Sequence, residues 1–357
     1  MREPQATSHM PHAHAHVVRL VACSLRLASL TLLLSPGELS AQDIHFSQFF
    51  HTPLASSPGN IGAFDGDYRV HGIFRQQWRA VTQPYRTFGL GGDAANAFGK
   101  KGLGVGAWLF NDKAGDSRMN TFHFSLGGSY TLMPGGTEEH AVTLGAQVGL
   151  TSISITDGDL RFDAQYNGFY YDPNLATGES FARGSLVHPD VHAGAVYRFR
   201  PAHRQLIQVG LGFFNLTRPK IGFLNSPAVP LDMRTTFQLL TQFPVSERVD
   251  VLPMIQYMAQ GRFKEFDLGA SVRYVLVDRY TTVRAVRLGG YYRASDAGYV
   301  YAGVEYDDWT AGISYDVNVS DLVPASRNRG GIEISVTRVF RKQPIVPARF
   351  KACPHQL

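Results

Sequence analysis

Segments of roughly ten residues in which every second side chain is apolar recur along this 357-residue chain, behind an N-terminal stretch with the features of an export leader. In TFHFSLGGSYT, at 121–131, Phe122, Phe124, Leu126 and Tyr130 fall on one side, while His123, Ser125, Gly127 and Ser129 fall on the other. EFDLGASVRYVL, at 265–276, behaves in the same way. A period of two assigns alternate residues to opposite faces of a strand, so each segment has one oily face and one polar or glycine face. The leader reading rests on Arg19 and Arg26 before an apolar core at 27–34, a Pro36-Gly37 break and a small-residue cleavage site at Ser40-Ala41. Beyond it no run approaches the eighteen apolar residues that a spanning helix requires. An exported chain of this pattern is predicted to be all-β, an antiparallel transmembrane β-barrel of the bacterial outer membrane.

Fourteen strands are expected, near 67–78, 85–95, 102–111, 119–131, 141–155, 189–199, 205–216, 232–243, 248–258, 265–276, 281–293, 298–306, 308–318 and 331–341. The second, eighth and ninth are the least regular, with Pro253 inside the ninth, so twelve or sixteen strands also fit. Loop parity separates a membrane barrel from a soluble sandwich. With a periplasmic N-terminus, the even-numbered connections are short (NAFGKK, LMPGGTEEH, RPAHR, PVSER, VDRY and Asp307). The odd-numbered ones include NDKAGDSR and the longer stretches near 156–188, 217–231 and 320–330. Short turns on one side and long loops on the other suit an outer-membrane barrel, and an even count returns both ends to the periplasm. The chain then divides into a signal peptide at 1–41, a periplasmic or luminal segment at 42–66, the barrel at 67–341 and a Pro-rich basic tail at 342–357.

Composition limits the function classes. A net charge of +5 without any Lys/Arg cluster leaves no footprint for nucleic acid. Of the two cysteines, only Cys353 lies beyond the leader, which excludes an internal disulfide in the processed chain. The 36 glycines, 12% aromatics and slightly negative mean hydropathy suit strands with one face in lipid and one in water better than a helical bundle.

Several ordered pieces carry a family resemblance. QDIHFSQFFHTPLASSPGNIGAFDGDYRV follows the leader directly, and FRQQW at 74–78, PYRTFGLGGD at 84–93 and NDKAGD at 111–116 come next. LGAQVGL at 144–150, DLRFDAQYN at 159–167 and YAGVEYDDWTAGISYDVNVSDLVPASRNRGGIEISV at 301–336 complete the series, with Cys353-Pro354 near the end. Together they resemble the PorP/SprF family of type IX secretion and gliding-motility outer-membrane proteins. The sequence departs from that pattern where His51-Thr52-Pro53 and Ser57-Pro58-Gly59 stand in place of Asn-Pro and Asn-Pro-Ala. The resemblance implies a non-enzymatic accessory of the secretion machine. Its partners would be outer-membrane lipid, periplasmic and lipoprotein components, and secreted or surface-anchored cargo. A diffusion channel or hydrophobic-compound transporter of the same architecture is the alternative.

The candidate partner-binding residues are the aromatic and basic side chains in irregular segments, where protein interfaces favour them. They are Phe46, Phe49 and Phe50 before the first strand; Phe162, Tyr166, Phe169 and Tyr170 in the long loop; and Arg349 and Lys351 in the tail. The first group and the tail are expected at the periplasmic mouth or folded into the lumen. Arg69 and Arg75 share the luminal face of the first strand, Asp316 and Glu333 that of the last two, and closure would bring Arg69 or Arg75 opposite Glu333.

Three catalytic or ligand readings are weaker. His123 and Ser125 share a face, but catalysis needs the base within hydrogen-bond reach of the hydroxyl, and luminal polar filling explains them more simply. Asp157, Asp159, Asp163 and Asp172, with Asn167 and Asn174, make an acidic loop without the spacing of a calcium-binding hand. GLGVGAW and GLGGD open no helix, so no phosphate cradle is expected. No cofactor or metal is predicted.

Overall fold

Alternation along the chain resolves into β1 (Tyr68–Gln77), β2 (Tyr85–Ala94), β3 (Leu103–Ala114), β4 (Met119–Leu132), β5 (His140–Ser154), β6 (Ser185–Phe199) and β7 (Leu206–Phe214). A two-residue pair, β8 (Lys220–Ile221) and β9 (Val229–Pro230), forms its own hairpin. Then follow β10 (Arg234–Pro244), β11 (Val249–Gln260), β12 (Phe263–Arg279), β13 (Thr282–Arg293), β14 (Ala297–Tyr306), β15 (Trp309–Asn318) and β16 (Arg329–Phe340). This computed structural model describes residues 43–341 apart from 78–82, 116–117, 135–138, 156–161, 178–183, 224–228, 280–281 and 321–327. Residues 1–41, expected to be the leader, and the tail carrying Arg349 and Lys351 lie outside the described residues.

The fourteen long strands close into one antiparallel barrel, each paired with its neighbours in sequence and β7 joined to β10 across the small hairpin. Closure runs from Tyr68 opposite Phe340 to Gln76 opposite Ile332. It is a physical requirement, because an open edge would leave a row of backbone donors and acceptors in hydrocarbon. Even Pro253 fits: it lies on the lipid face of β11, and its carbonyl accepts from the Thr241 hydroxyl at 2.7 Å.

The faces divide as the period-two pattern predicts. Phe122, Phe124, Leu126, Leu150, Leu288, Val300, Ile313 and Ile334 are exposed on the outside and form an apolar belt. His123, Ser125, Gln147, Asp267, Ser271, Asp316 and Glu333 are buried on the inside.

One end of the barrel carries the short connections that follow β2, β4, β6, β10, β12 and β14; the other carries the longer connections that follow β5, β7 and β15. The length contrast is confined to those three loops. The NDKAGD stretch contributes no long loop, because β3 continues through it to Ala114. Asp112 accepts from the Thr87 hydroxyl at 2.6 Å and Asn111 donates to Asn120 at 2.8 Å, so polar side chains keep the ladder intact beyond the apolar belt. In an outer-membrane barrel the turn end faces the periplasm.

A plugged lumen as the candidate functional site

Residues 43–67 occupy the inside of the barrel and run from its loop end to its turn end. Pro53 starts a single helical turn (Pro53–Ser56) and Pro58 a 3₁₀ turn (Pro58–Asn60), positions where a fixed φ and a missing N–H cost nothing. With the turn Phe49–His51 they fold the segment into a compact thread that satisfies much of its own backbone.

At the loop end, the Asp43 backbone N–H donates to Gln260 Oε1 at 2.7 Å, Asn215 donates to the Asp43 carboxylate at 2.9 Å, and Arg234 lies 3.6 Å from it. His45 Nδ1 is 3.2 Å from Glu265, and the His45 carbonyl accepts from Arg75. At Ser47-Gln48 the wall grips the backbone itself. Glu333 accepts from both backbone N–H groups, at 2.7 and 2.8 Å, while the Ser47 hydroxyl donates to Asp316 at 2.7 Å and accepts from Arg293 at 2.7 Å. The Gln48 amide donates to Ser314 at 3.0 Å and accepts from Ser335 at 2.6 Å. Arg75, whose Nε lies 3.1 Å from Glu333, and Arg293, 3.2 Å from Asp267, supply countercharge to these carboxylates.

Midway, Phe49 is buried against Leu252, Met254, Tyr291, Tyr299 and Tyr301, and Phe50 stacks on Tyr291 at 5.6 Å. His51 shares a 2.8 Å hydrogen bond with the Tyr301 hydroxyl. Phe46, Leu54 and Ile61 form a second apolar cluster with Ile73 and Trp108.

Towards the turn end, Asn60 donates to Gln238 at 2.8 Å and accepts from Gln208 at 3.1 Å. The Gly62 N–H donates to Asp93 at 2.7 Å, and the Asp93 carboxylate is itself paired with Arg69 at 2.8 Å. Backbone meets backbone at Gly59, where a Cβ would lie 2.8 Å from the Ala195 carbonyl carbon, and at Gly145, where a Cβ would strike the Pro58 carbonyl. Glycine is required there for close approach.

These contacts revise the expected site. Phe46 and Phe49, predicted to meet a partner, are 3% and 1% exposed and hold the chain's own barrel instead. Phe50 is stacked rather than displayed. Residue 43 stands at the loop end, opposite to a periplasmic start, because its partners Arg234, Asn215 and Gln260 border the loops. Of the two expected partners of Glu333, Arg75 makes the pair; Arg69 turns to Asp93 and stacks on Phe64 at 4.5 Å. Asp316 lies between Arg75 and Arg293, at 3.5 and 3.4 Å.

The long-loop aromatics are arranged differently. Tyr166 bridges to Tyr171, and Asn167 Oδ1 accepts from the backbone N–H groups of Phe169 and Tyr170 at 3.0 Å each, with Gly168 at φ +97°. This small turn displays Phe169, 90% exposed, and Tyr170, 63% exposed; Tyr166 is exposed and Phe162 half-buried. Asp172 caps the following turn by accepting from the Asn174 N–H at 2.9 Å, while Asp157 and Asp159 lie outside the described residues. Among the described residues no three His, Cys, Asp or Glu side chains are grouped to hold a metal ion.

His123 shares a 2.8 Å hydrogen bond with Thr151, and the Ser125 hydroxyl donates to the Trp108 carbonyl at 3.4 Å, so the two form no nucleophile–base pair. Sequence reasoning missed His188, Asp190 and His192 beside His123. His188 Nδ1 lies 2.9 Å from Asp190, and the Asn215 N–H donates to His192 at 3.1 Å. Their alternation on β6 was the available signal.

Residues 38–337 match the family model described as type IX secretion system membrane protein PorP/SprF. No functionally curated protein matches the chain. Among solved structures, it is similar to the toluene transporter TodX of Pseudomonas putida (14% identity, 84% of this chain and 94% of that one, TM-score 0.48). It is similar also to the toluene transporter TbuX of Ralstonia pickettii (11%, 82% and 94%, TM-score 0.46) and to a FadL homologue of Pseudomonas aeruginosa (11%, 81% and 94%, TM-score 0.42).

Proposed function

The chain belongs to the PorP/SprF family of type IX secretion system membrane proteins, and from that premise we propose that it serves the machine by binding proteins while its own lumen stays shut. It is an outer-membrane barrel, its closed wall and apolar belt seated in lipid. The observation that carries the proposal is the plug, latched at both ends by buried hydrogen-bonded charges and packed at its middle by aromatic rings. In this reading, a segment so held closes the lumen to solutes.

Outward, at the loop end, stands the long connection between β5 and β6. Phe169 and Tyr170, fixed on an Asn167-capped turn, offer rigid aromatic surface with little ordering entropy left to lose, the property that makes Tyr and Phe effective anchors. In this reading the loop meets secreted or surface-anchored cargo, which extends to gliding adhesins, and Arg349 and Lys351 in the tail dock on periplasmic or lipoprotein components.

The test is cross-linking in the intact outer membrane followed by pull-down. Phe169→Ala/Tyr170→Ala should lower recovery of surface cargo at least fivefold and spare periplasmic partners. Deleting residues 342–357 should do the converse, with the barrel still assembled. Undiminished recovery of both partner sets from both variants would sink the proposal.

A further inference from the structure

Four outward-facing residues at the turn end of the last strands stand in one row. Arg284 is opposite Tyr306, Tyr306 opposite Trp309, and Trp309 opposite Arg338 in three successive ladders. With strands about 4.8 Å apart, the two arginine backbones lie about 14 Å from each other. The next pair towards the periplasm is Tyr68 opposite Phe340, again two aromatic residues facing outward. Two residues further into the membrane, the same faces carry Val286, Val304, Ala311 and Val336, so the row stands at the edge of the apolar belt.

The arginines are placed against rings. The Arg338 guanidinium carbon lies 4.8 Å from the Trp309 ring centroid and 4.3 Å from that of Phe340; the Arg284 guanidinium lies 4.3 Å from that of Tyr306. The nearby acids are already engaged: Asp307 is 3.5 Å from Arg284 and Asp308 is 2.9 Å from Arg341. Arg338 has no carboxylate partner among the described residues, and its Nε is buried without a hydrogen bond. A guanidinium clamped between two rings keeps its outer N–H groups directed to one side, pre-organised for an oxyanion. At the lipid boundary that oxyanion is a headgroup phosphate. Arginine's planar fork matches it bidentately, while tryptophan and tyrosine settle at the same depth.

We propose that Arg338, held by Trp309 and Phe340 and assisted by Arg284, binds the phosphate of an anionic phospholipid of the periplasmic leaflet. The unmatched positive charge selects a headgroup without an amine, since a zwitterionic lipid would bring its own cation towards the guanidinium. The site is separate from the plug and from the long loop, so it stands whether or not the proposed partners are right.

The test is native mass spectrometry of the full-length barrel, released from nanodiscs containing equal parts phosphatidylglycerol and phosphatidylcholine. The unaltered protein should retain phosphatidylglycerol preferentially. Arg338→Gln should reduce that adduct at least fivefold and Arg338→Lys by less, because lysine keeps the charge but loses the fork. Lys100→Gln, a matched charge loss in a turn away from the row, should leave it unchanged. Folding of each variant is checked by heat-modifiable gel mobility. Equal retention of both lipids by the unaltered protein overturns the assignment. So does a phosphatidylglycerol adduct that survives Arg338→Gln, or one that falls equally in Lys100→Gln.

Discussion

Deleting residues 43–66 from the processed chain is expected to convert a silent barrel into a conducting one. The segment fills the lumen along its length, from Asp43 beside Gln260 to Gly62 beside Asp93, and no wall strand depends on it for backbone pairing. The fourteen-strand ladder therefore closes without it, and the space it leaves is lined by Arg75, Arg293, Asp267, Asp316 and Glu333, which water and ions solvate readily. In planar bilayers the intact protein should show no steady conductance, and the deletion a stable open level. The deletion should also be less stable. Phe46, Phe49, Leu54 and Ile61 are each almost completely buried, a contribution of about 1.5–3 kcal/mol per side chain, and their removal exposes the Leu252–Met254 patch to water. A steady large conductance from the intact protein would refute the plug as a closure. A silent deletion variant that still migrates as a folded barrel would show that something else blocks the lumen.

The wall of this barrel was legible in the chain because its physics is local. Side chains alternate between lipid and lumen strand by strand, and the fourteen expected segments coincide with the fourteen observed to within a few residues. Where they differ, polar side chains prolong pairing beyond the apolar belt, as Asp112 does on β3. The plug was harder to read, since its direction and contacts depend on residues more than two hundred positions away, as Ser47 with Glu333 shows. A trace was present nonetheless. On β11, Leu252, Met254 and Met258 face inward while Val251, Ile255 and Tyr257 face out, and on β14 Tyr299 and Tyr301 face inward against Val300 and Val304. Strands apolar on both faces have both faces covered. In a membrane barrel, one cover is lipid and the other must be protein inside. Reading those two strands together with the aromatic Phe46–Phe50 stretch would have chosen the lumen over the periplasmic mouth, the two places expected for that stretch.

Glu333→Ala should be the most damaging single substitution in the latch. Glu333 is fully buried, pairs with Arg75 at 3.1 Å and accepts the backbone N–H groups of Ser47 and Gln48. Alanine takes the carboxylate away from all three partners at once. It leaves Arg75 with Asp316, at 3.5 Å, as its remaining carboxylate and the His45 carbonyl as its acceptor, and orphans two buried backbone donors. Stranding one member of a buried pair costs about 3–5 kcal/mol, and each unpaired donor about 1–3 kcal/mol before the segment relaxes. Part of that cost is escapable, because the plug can swing away and let water in. The expected result is therefore a lower unfolding midpoint together with intermittent conductance bursts as residues 43–48 detach and return. Arg75→Met in the Glu333→Ala background should recover part of the midpoint, since it removes the stranded charge, but not the silence, since Ser47 and Gln48 remain without an acceptor. Thermal scans and single-channel records on the two variants separate the terms. An unchanged midpoint and a silent record for Glu333→Ala would mean that the latch at Ser47-Gln48 holds nothing, and that the other contacts, from the packing of Phe49 to the Gly62–Asp93 bond, keep the segment in place.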